Sequence, residues 1–146
     1  FDTSRETRDF IAMFGSLDIS TSALVAQRTR MNVIAANMAN MNSIEDADGN
    51  YSPFRRRIAV FASGDPSRGS DRGVHVSEIL LDATPFRKVK EAGSPYADAD
   101  GYVEYPNIDP TMEQINALEA SRAYEANITA AEATKAMMQA SLRLLA

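Results

Sequence analysis

The side chains able to do chemistry fall into four groups, and none completes a reaction site. His75 is the sole histidine and stands between Val74 and Val76. A metal pair or a nucleophile triad needs a second histidine or base beside it, so a structural role is expected. Asp46-Ala47-Asp48-Gly49-Asn50 and Asp98-Ala99-Asp100-Gly101 have the composition of calcium loops. An EF-hand loop fixes its glycine mid-loop and ends on a bidentate glutamate, and neither segment has that layout. Asp-Gly is a stronger signal for a turn than for a metal. Arg55-Arg56-Arg57 is a short basic run. It reads as a solvated strand edge that discourages edge-to-edge pairing, with contact to an acidic neighbour in an assembly as the functional alternative. Tyr124, Arg122 and Glu125 hold acid–base groups, yet a helix sets Arg122 and Tyr124 about 200° apart. The sequence has no Cys, which excludes a disulfide framework and thiolate metal sites. It also offers no Gly-rich phosphate loop and no GxSxG element. No enzyme, cofactor or metal centre is therefore expected. A small calcium- or ligand-binding module built on the two Asp-Gly loops is the alternative reading.

The elements carrying these groups read in order as helix, strands, helix. Thr3 and Glu6 have capping-box spacing, which predicts a short helix towards Phe14, and Gly15 offers it a stop. A second helix is predicted from about Asp18 to Met41. Phe10, Leu17, Leu24, Met31 and Met38 recur every seven residues. Ile34 and Met41 follow the last two by three, while Ser20 and Gln27 interrupt that second row. Residues 42–53 read as a loop. Strands are predicted for Arg55–Ala62, where Phe54, Ile58 and Val60 share a face with Arg56, then Val74–Leu81, Phe86–Glu91 and Tyr102–Tyr105. The Gly/Ser/Asp/Pro stretch Ser63–Gly73 reads as a mobile loop. Pro110 opens the last helix without losing a hydrogen bond. That helix runs without Gly or Pro, and Ala117, Tyr124, Ala131, Met138 and Leu145 recur every seven residues, flanked at i+4 by Ser121, Ile128 and Leu142.

The predicted fold is α+β: two long terminal helices packed as a coiled coil, with a small antiparallel β module between them. The divisions are an N-terminal extension over 1–16, a core helix over 17–43, the β module over 44–109 and a C-terminal core helix over 110–146. A β module of roughly 55 residues is below the size at which a core supports itself comfortably, and the last helix, roughly 50 Å long, outreaches it. Each helix must bury its stripe somewhere. One solution is an antiparallel pair within the chain; another is a pair that packs further against copies of itself. The ten Ala from Thr111 to Ala146 allow close approach on several faces. The Met side chains adapt to several partners. Asn37 and Asn40 lie near the seam, where Asn fixes register. The net charge of −5 gives no overall field for nucleic acid or an anionic membrane. No apolar run reaches the ~20 residues needed to span a bilayer. Phe1–Phe14 alternates charge with apolar residues, so no secretory signal is expected there.

Ala36-Asn37-Met38-Ala39-Asn40-Met41-Asn42-Ser43 resembles the N-terminal signature of the bacterial flagellar axial proteins, the rod, hook and filament-junction subunits. Gly101-Tyr-Val-Glu-Tyr-Pro-Asn-Ile-Asp109, then Ser121-Arg-Ala-Tyr-Glu-Ala-Asn127 and Ala133-Thr-Lys-Ala-Met-Met138, are similar in order and spacing to the proximal rod branch of that family. Gly73-Val-His-Val and Pro85-Phe-Arg-Lys-Val match its middle, and the resemblance covers about residues 17–146. It implies a subunit exported through the flagellar type III channel, polymerising helically in the periplasm, with its terminal helices lining a hollow rod that passes torque from motor to hook. It implies as partners further copies of the chain, other rod proteins, the membrane-ring adaptor at the rod base and the export apparatus. Family members begin close to the position of Leu17, so Phe1–Ser16 departs from the pattern. The residues expected at the subunit interface are Leu17, Leu24, Met31, Ile34, Asn37, Met38, Asn40 and Met41 on the first helix. On the second they are Ala117, Ser121, Tyr124, Asn127, Ile128, Ala131, Met138, Leu142 and Leu145.

Overall fold

The computed structural model describes residues 3–145. The side chains of 3–7, 9, 10, 13 and 145 lie outside the described residues, and with them the Thr3–Glu6 capping box and the seam positions of Phe10 and Leu145. The elements run α1 (Thr3–Ala39), β1 (Arg57–Asp65), β2 (Ser70–Leu81), β3 (Arg87–Lys90), β4 (Tyr102–Tyr105) and α2 (Pro110–Leu145). The molecule is α+β, with two long helices and small antiparallel sheets.

α1 runs unbroken through Gly15, correcting the helix stop expected there. One glycine costs a helix roughly 1 kcal/mol relative to Ala. The continuous backbone hydrogen bonding on both sides outweighs that. Gly15 also faces the β1–β2 hairpin, where a Cβ would meet Arg72 Nη1 at 3.1 Å. The other end of α1 is closed by its own sequence. Asn40 Nδ2 donates to Ala36 O at 2.9 Å, and Ser43 Oγ donates to Asn40 Oδ1 at 3.1 Å. Ala36 O thus accepts from both the backbone N–H of Asn40, at 3.1 Å, and its side-chain amide. α2 starts as the sequence predicts: Asp109 Oδ1 accepts from Thr111 N at 2.8 Å, and Pro110 is the first helical residue.

The strands form two two-stranded antiparallel sheets, β1–β2 and β3–β4. The predicted loop over Ser63–Gly73 is the end of the first hairpin. Its strands continue to Asp65 and from Ser70, around a single 3₁₀ turn at Pro66–Arg68. Asp65 caps that turn by accepting from Ser67 N at 3.1 Å. Gly and Ser here permit bulges, between Val60 and Phe61 and between Ser63 and Asp65, that bend the ribbon. Bent this way, the hairpin lies along α1. Val74 N donates to Ser22 Oγ at 3.1 Å, and Arg68 pairs with Asp18 at 2.6 Å. Gly73 permits the approach: its φ is +94°, and a Cβ there would sit 2.5 Å from Ser22 Oγ.

In the second sheet Arg87 pairs with Tyr105 and Lys90 with Tyr102, and Val103 on β4 is fully buried. The loop over 45–51 closes on it. The Tyr51 ring stacks on Tyr96 with centroids 4.9 Å apart. Its hydroxyl donates to Glu104 O at 3.1 Å and accepts from Glu104 N at 3.0 Å. α2 rests on α1 and runs in the opposite direction, with Arg30 beside Glu119 and Asn37 beside Glu113. The apolar core is small: Ala26, Val33, Ile34, Val103, Ile108 and Ala120. Among the described residues no helix is long and apolar enough to cross a membrane.

Candidate assembly interface

The helix seam is where the predicted interface residues converge. On α1, Leu17, Leu24, Met31 and Met38 are half-buried and Ile34 is buried; Met41, just past the helix, is half-buried. On α2, Ala117, Tyr124, Ala131 and Met138 are half-buried, so the row spaced by seven faces the seam. Its companion row lies at i+3 rather than at the predicted i+4. Ala120 and Thr134 are buried, with Asn127 and Ser141 half-buried between and beyond them. Ser121 and Ile128 are half-buried at the margin. Leu142 is 52% exposed and lies outside the intramolecular seam. The physical reason is size. Where two helices approach closely, the contact row takes small residues, and a Leu one position further round is turned out. Leu145 lies outside the described side chains.

One end of the seam is held by a buried polar junction. Asn37, 1% exposed, sits opposite Arg57 as a neighbouring strand would: its Oδ1 accepts from Arg57 N at 2.9 Å and its Nδ2 donates to Arg57 O at 2.9 Å. The same Nδ2 donates to Glu113 Oε2 at 3.1 Å. Glu113, also 1% exposed, is the first seam residue of α2, and its Oε1 takes Arg56 Nε and Nη2, each at 2.7 Å. Arg56 Nη1 reaches Asp82 Oδ2 at 3.5 Å. The Asp82 carboxyl is held below its ordinary value, first by the Thr84 backbone N–H and hydroxyl and then by the Arg56 charge. Five side chains or backbone groups from α1, the approach to β1, the exit from β2 and α2 thus meet in one network.

Arg55 and Arg56 are therefore not part of a solvated edge, while Arg57 is exposed. Arg56 enters the junction, Arg55 donates to Asp82 O and Thr84 O and lies 3.9 Å over the Phe86 ring, and Arg57 lies over Phe54. The sequence alone singles out Arg56 but neither Asp82 nor Glu113. One signal was present: an arginine in phase with Phe54, Ile58 and Val60 faces inward and needs a buried acid. Asn37, expected to set register, does bond to the opposite helix. Asn40 serves instead as the cap of α1, and Asn127 Nδ2 turns back to its own helix at Ala123 O.

The groups weighed for catalysis and metal binding have structural partners. His75 Nδ1 lies 2.9 Å from Gly64 O, across the β1–β2 hairpin. The two Asp-Gly loops are built alike. Asp46 Oδ1 accepts from Asp48 N and Asn50 N, and Asp98 Oδ1 accepts from Asp100 N and Tyr102 N. In each the glycine takes a positive φ, +79° at Gly49 and +80° at Gly101. The Asn50 backbone N–H is the main reason the Asp46 carboxyl lies below its ordinary value. Carboxylates turned onto their own backbone close a turn rather than gather round a cation, and no cluster of metal-ligating residues occurs among the described residues.

Two helices and small sheets, joined by a structural junction, define a class of scaffold rather than a reaction centre. The comparisons specify it. A family model described as "Flagella basal body rod protein" matches residues 17–43, and one described as "Flagellar basal body rod FlgEFG protein C-terminal" matches residues 99–144. The flagellar basal-body rod protein FlgC of Yersinia enterocolitica is 41% identical over 134 residues, 92% of this chain and 98% of its own. That of Bacillus subtilis is 38% identical over 145 residues, 90% of this chain and 97% of its own. That of Salmonella typhimurium is 40% identical over 134 residues, 92% and 98%. The chain belongs to the FlgC family of flagellar basal-body rod proteins, and its function is that of a structural rod subunit. The calcium-binding alternative finds no support.

Proposed function

We propose that this chain polymerises through α1 and α2 into the proximal rod, as part of a hollow shaft that carries torque from motor to hook, and that it acts there without any catalytic step. The observation that carries the reading is apolar surface left uncovered along both helices. Ile11, Ile19 and Val25 on α1, and Met112, Ile115, Leu118, Met137, Leu142 and Leu144 on α2, are exposed outside the intramolecular seam. So much apolar surface at the margins of a two-helix pair marks it for further helices. In this reading the seam packs as a coiled coil, the predicted interface residues hold the pair together, and neighbours cover the outer faces. The core segments over 17–43 and 110–146 form the inner wall, and the β part over 44–109 faces outward. The extension over 1–16 contacts the ring or an adjacent rod protein. The partners are further copies of the chain, other rod proteins and the adaptor at the rod base. The chain reaches the periplasm through the flagellar type III apparatus. Localising a tagged chain in purified basal bodies tests this. Signal within the rod next to the membrane ring is the expected result; signal absent from the rod, with the chain stable in cells, would overturn it.

A further inference from the structure

We propose that the groove between α1 and the β1–β2 hairpin receives the outer face of α2 from a second copy of the chain, laid antiparallel to α1 with Arg122 at Glu78 and Glu132 at Arg72. This contact rests on the assembly reading above and is the one that would join neighbours side by side. The hairpin leaves two hollows along α1, of about 630 and 510 Å³, which meet at Arg68. The larger is floored by buried Ala26 and half-buried Val74 and Val76, and rimmed by exposed Val25 and Ile79. At 3.6 residues per turn, Val25 and Thr29 lie roughly 140–180° round α1 from the centre of the seam, on the side turned away from the chain's own α2. Two charges on this groove make no ion pair among the described residues. Arg72 stands at the level of Gly15, where its Nη1 lies 3.1 Å from the place of a Cβ, and Glu78 stands at the level of Val25. The α2 face turned away from the seam is the complement. Its middle is Thr129, Ala133, Ala136 and Ala140, all exposed and small enough to enter a groove. Thr129 satisfies its hydroxyl on its own helix, at Glu125 O. Arg122 and Glu132 border this face, are exposed, and make no ion pair among the described residues. They stand ten residues apart, as Gly15 and Val25 do, so an antiparallel helix meets both groove charges with the opposite sign. A parallel helix could match the signs with Glu132 and Arg143, but it would turn successive copies end for end, which a shaft with a motor end and a hook end cannot use. The antiparallel register also sets the second α2 at nearly the height of the chain's own, where Arg30 faces Glu119. Because groove and helix face lie on opposite sides of the molecule, the contact is heterologous and repeats into a ring or a shallow helix with the long helices in its wall.

The contact is tested by cross-linking the full-length chain, which has no native Cys to interfere. Chains carrying Val25→Cys and chains carrying Ala126→Cys are co-expressed, and purified basal bodies are treated with a short bis-maleimide. Both positions are exposed, so neither change threatens the fold. The expected product is a dimer of the two variants. Val25→Cys with Ala140→Cys, which a parallel helix would bring together, should give none. Glu78→Arg in every copy, or Arg122→Glu in every copy, should lower the yield by about threefold or more. The double reversal Glu78→Arg/Arg122→Glu should restore it. A chain built into the rod without the link between positions 25 and 126 overturns the contact and leaves the assembly reading standing. A main product joining two copies of one variant, or joining positions 25 and 140, also overturns it. So does a yield that neither single reversal lowers or that the double reversal fails to restore. Absence of the chain from the rod overturns the assembly reading and the contact together.

Discussion

The two ends of the helix pair are built on different principles. Near the start of α2 the seam is closed by Ala26, Val33, Ile34 and Ala120 and held by Asn37, Arg56 and Glu113. Towards the free ends of the helices the fully buried side chains are Ser20 and Thr134, whose burial contributes little hydrophobic free energy. At the edge of the proximal stretch, next to Ala26, Gln27 Oε1 is buried with no hydrogen-bond partner among the described residues, a local cost. The apolar side chains of the distal ends, Ile11, Phe14, Met137, Leu142 and Leu144, are instead exposed. The proximal end satisfies its groups within the chain, and the distal end keeps its adhesive surface for others. A subunit that must be compact enough to place its β part, yet unfinished until it meets neighbours, needs both.

The comparison can be broken by mutation. The largest effect is expected at the junction. Glu113→Ala leaves Arg56 and Asn37 without their acid and should lower unfolding stability by about 3 kcal/mol, the low end for a broken buried pair because Arg56 keeps some access to water. Urea denaturation followed by circular dichroism measures it, and a loss below about 1 kcal/mol would mean that the proximal end is not held there. Next comes Gly73→Ala, where the positive φ and the 2.5 Å approach to Ser22 Oγ both oppose a Cβ. A loss of about 1–3 kcal/mol is expected, concentrated in the hairpin and visible as faster exchange of the Val74 amide.

Acid sharpens the contrast further. The Asp82 carboxyl is depressed below the ordinary 3.8, so its contribution is fully present above that value and is lost as pH falls through its lower folded value. Asp82→Asn should flatten the acid limb of the stability curve, and an unchanged limb would remove Asp82 from the junction's electrostatics. The smallest effect on stability is expected from deleting residues 142–146. Leu142 and Leu144 are 52% and 89% exposed, so their removal from the isolated chain should cost almost nothing in the same denaturation assay. Motility in a complemented strain should nevertheless be lost, and a swimming strain would show that the distal face is dispensable.

Much of this architecture is legible in the sequence, and the failures have physical causes. Both helices follow from heptad spacing without Pro, and the start of α2 follows from Asp109-Pro110. The turns of the Asp-Gly loops follow from residue type. Gly15 misleads because the penalty for one glycine is local, whereas the helix is held along its whole length. The second seam row misleads for a different reason. Ile128 and Leu142 look like core residues, but close approach of two helices selects the small side chains at Ala120, Thr134 and Ser141. The junction is the least legible feature. Arg56 announces itself by its phase in the strand, but its acid lies 57 residues away in the chain, and nothing local to Glu113 distinguishes it from the solvated glutamates that follow on α2.

Hydrogen exchange of the full-length chain, free in solution and in purified basal bodies, tests the division between the two ends most directly. Ala26–Ala39 and Glu113–Tyr124 should be protected in both states, while Phe14–Ile19 and Ala131–Leu144 should gain protection only in the rod. Equal protection of the distal segments in the free chain, or loss of protection at the proximal ones, would contradict the account.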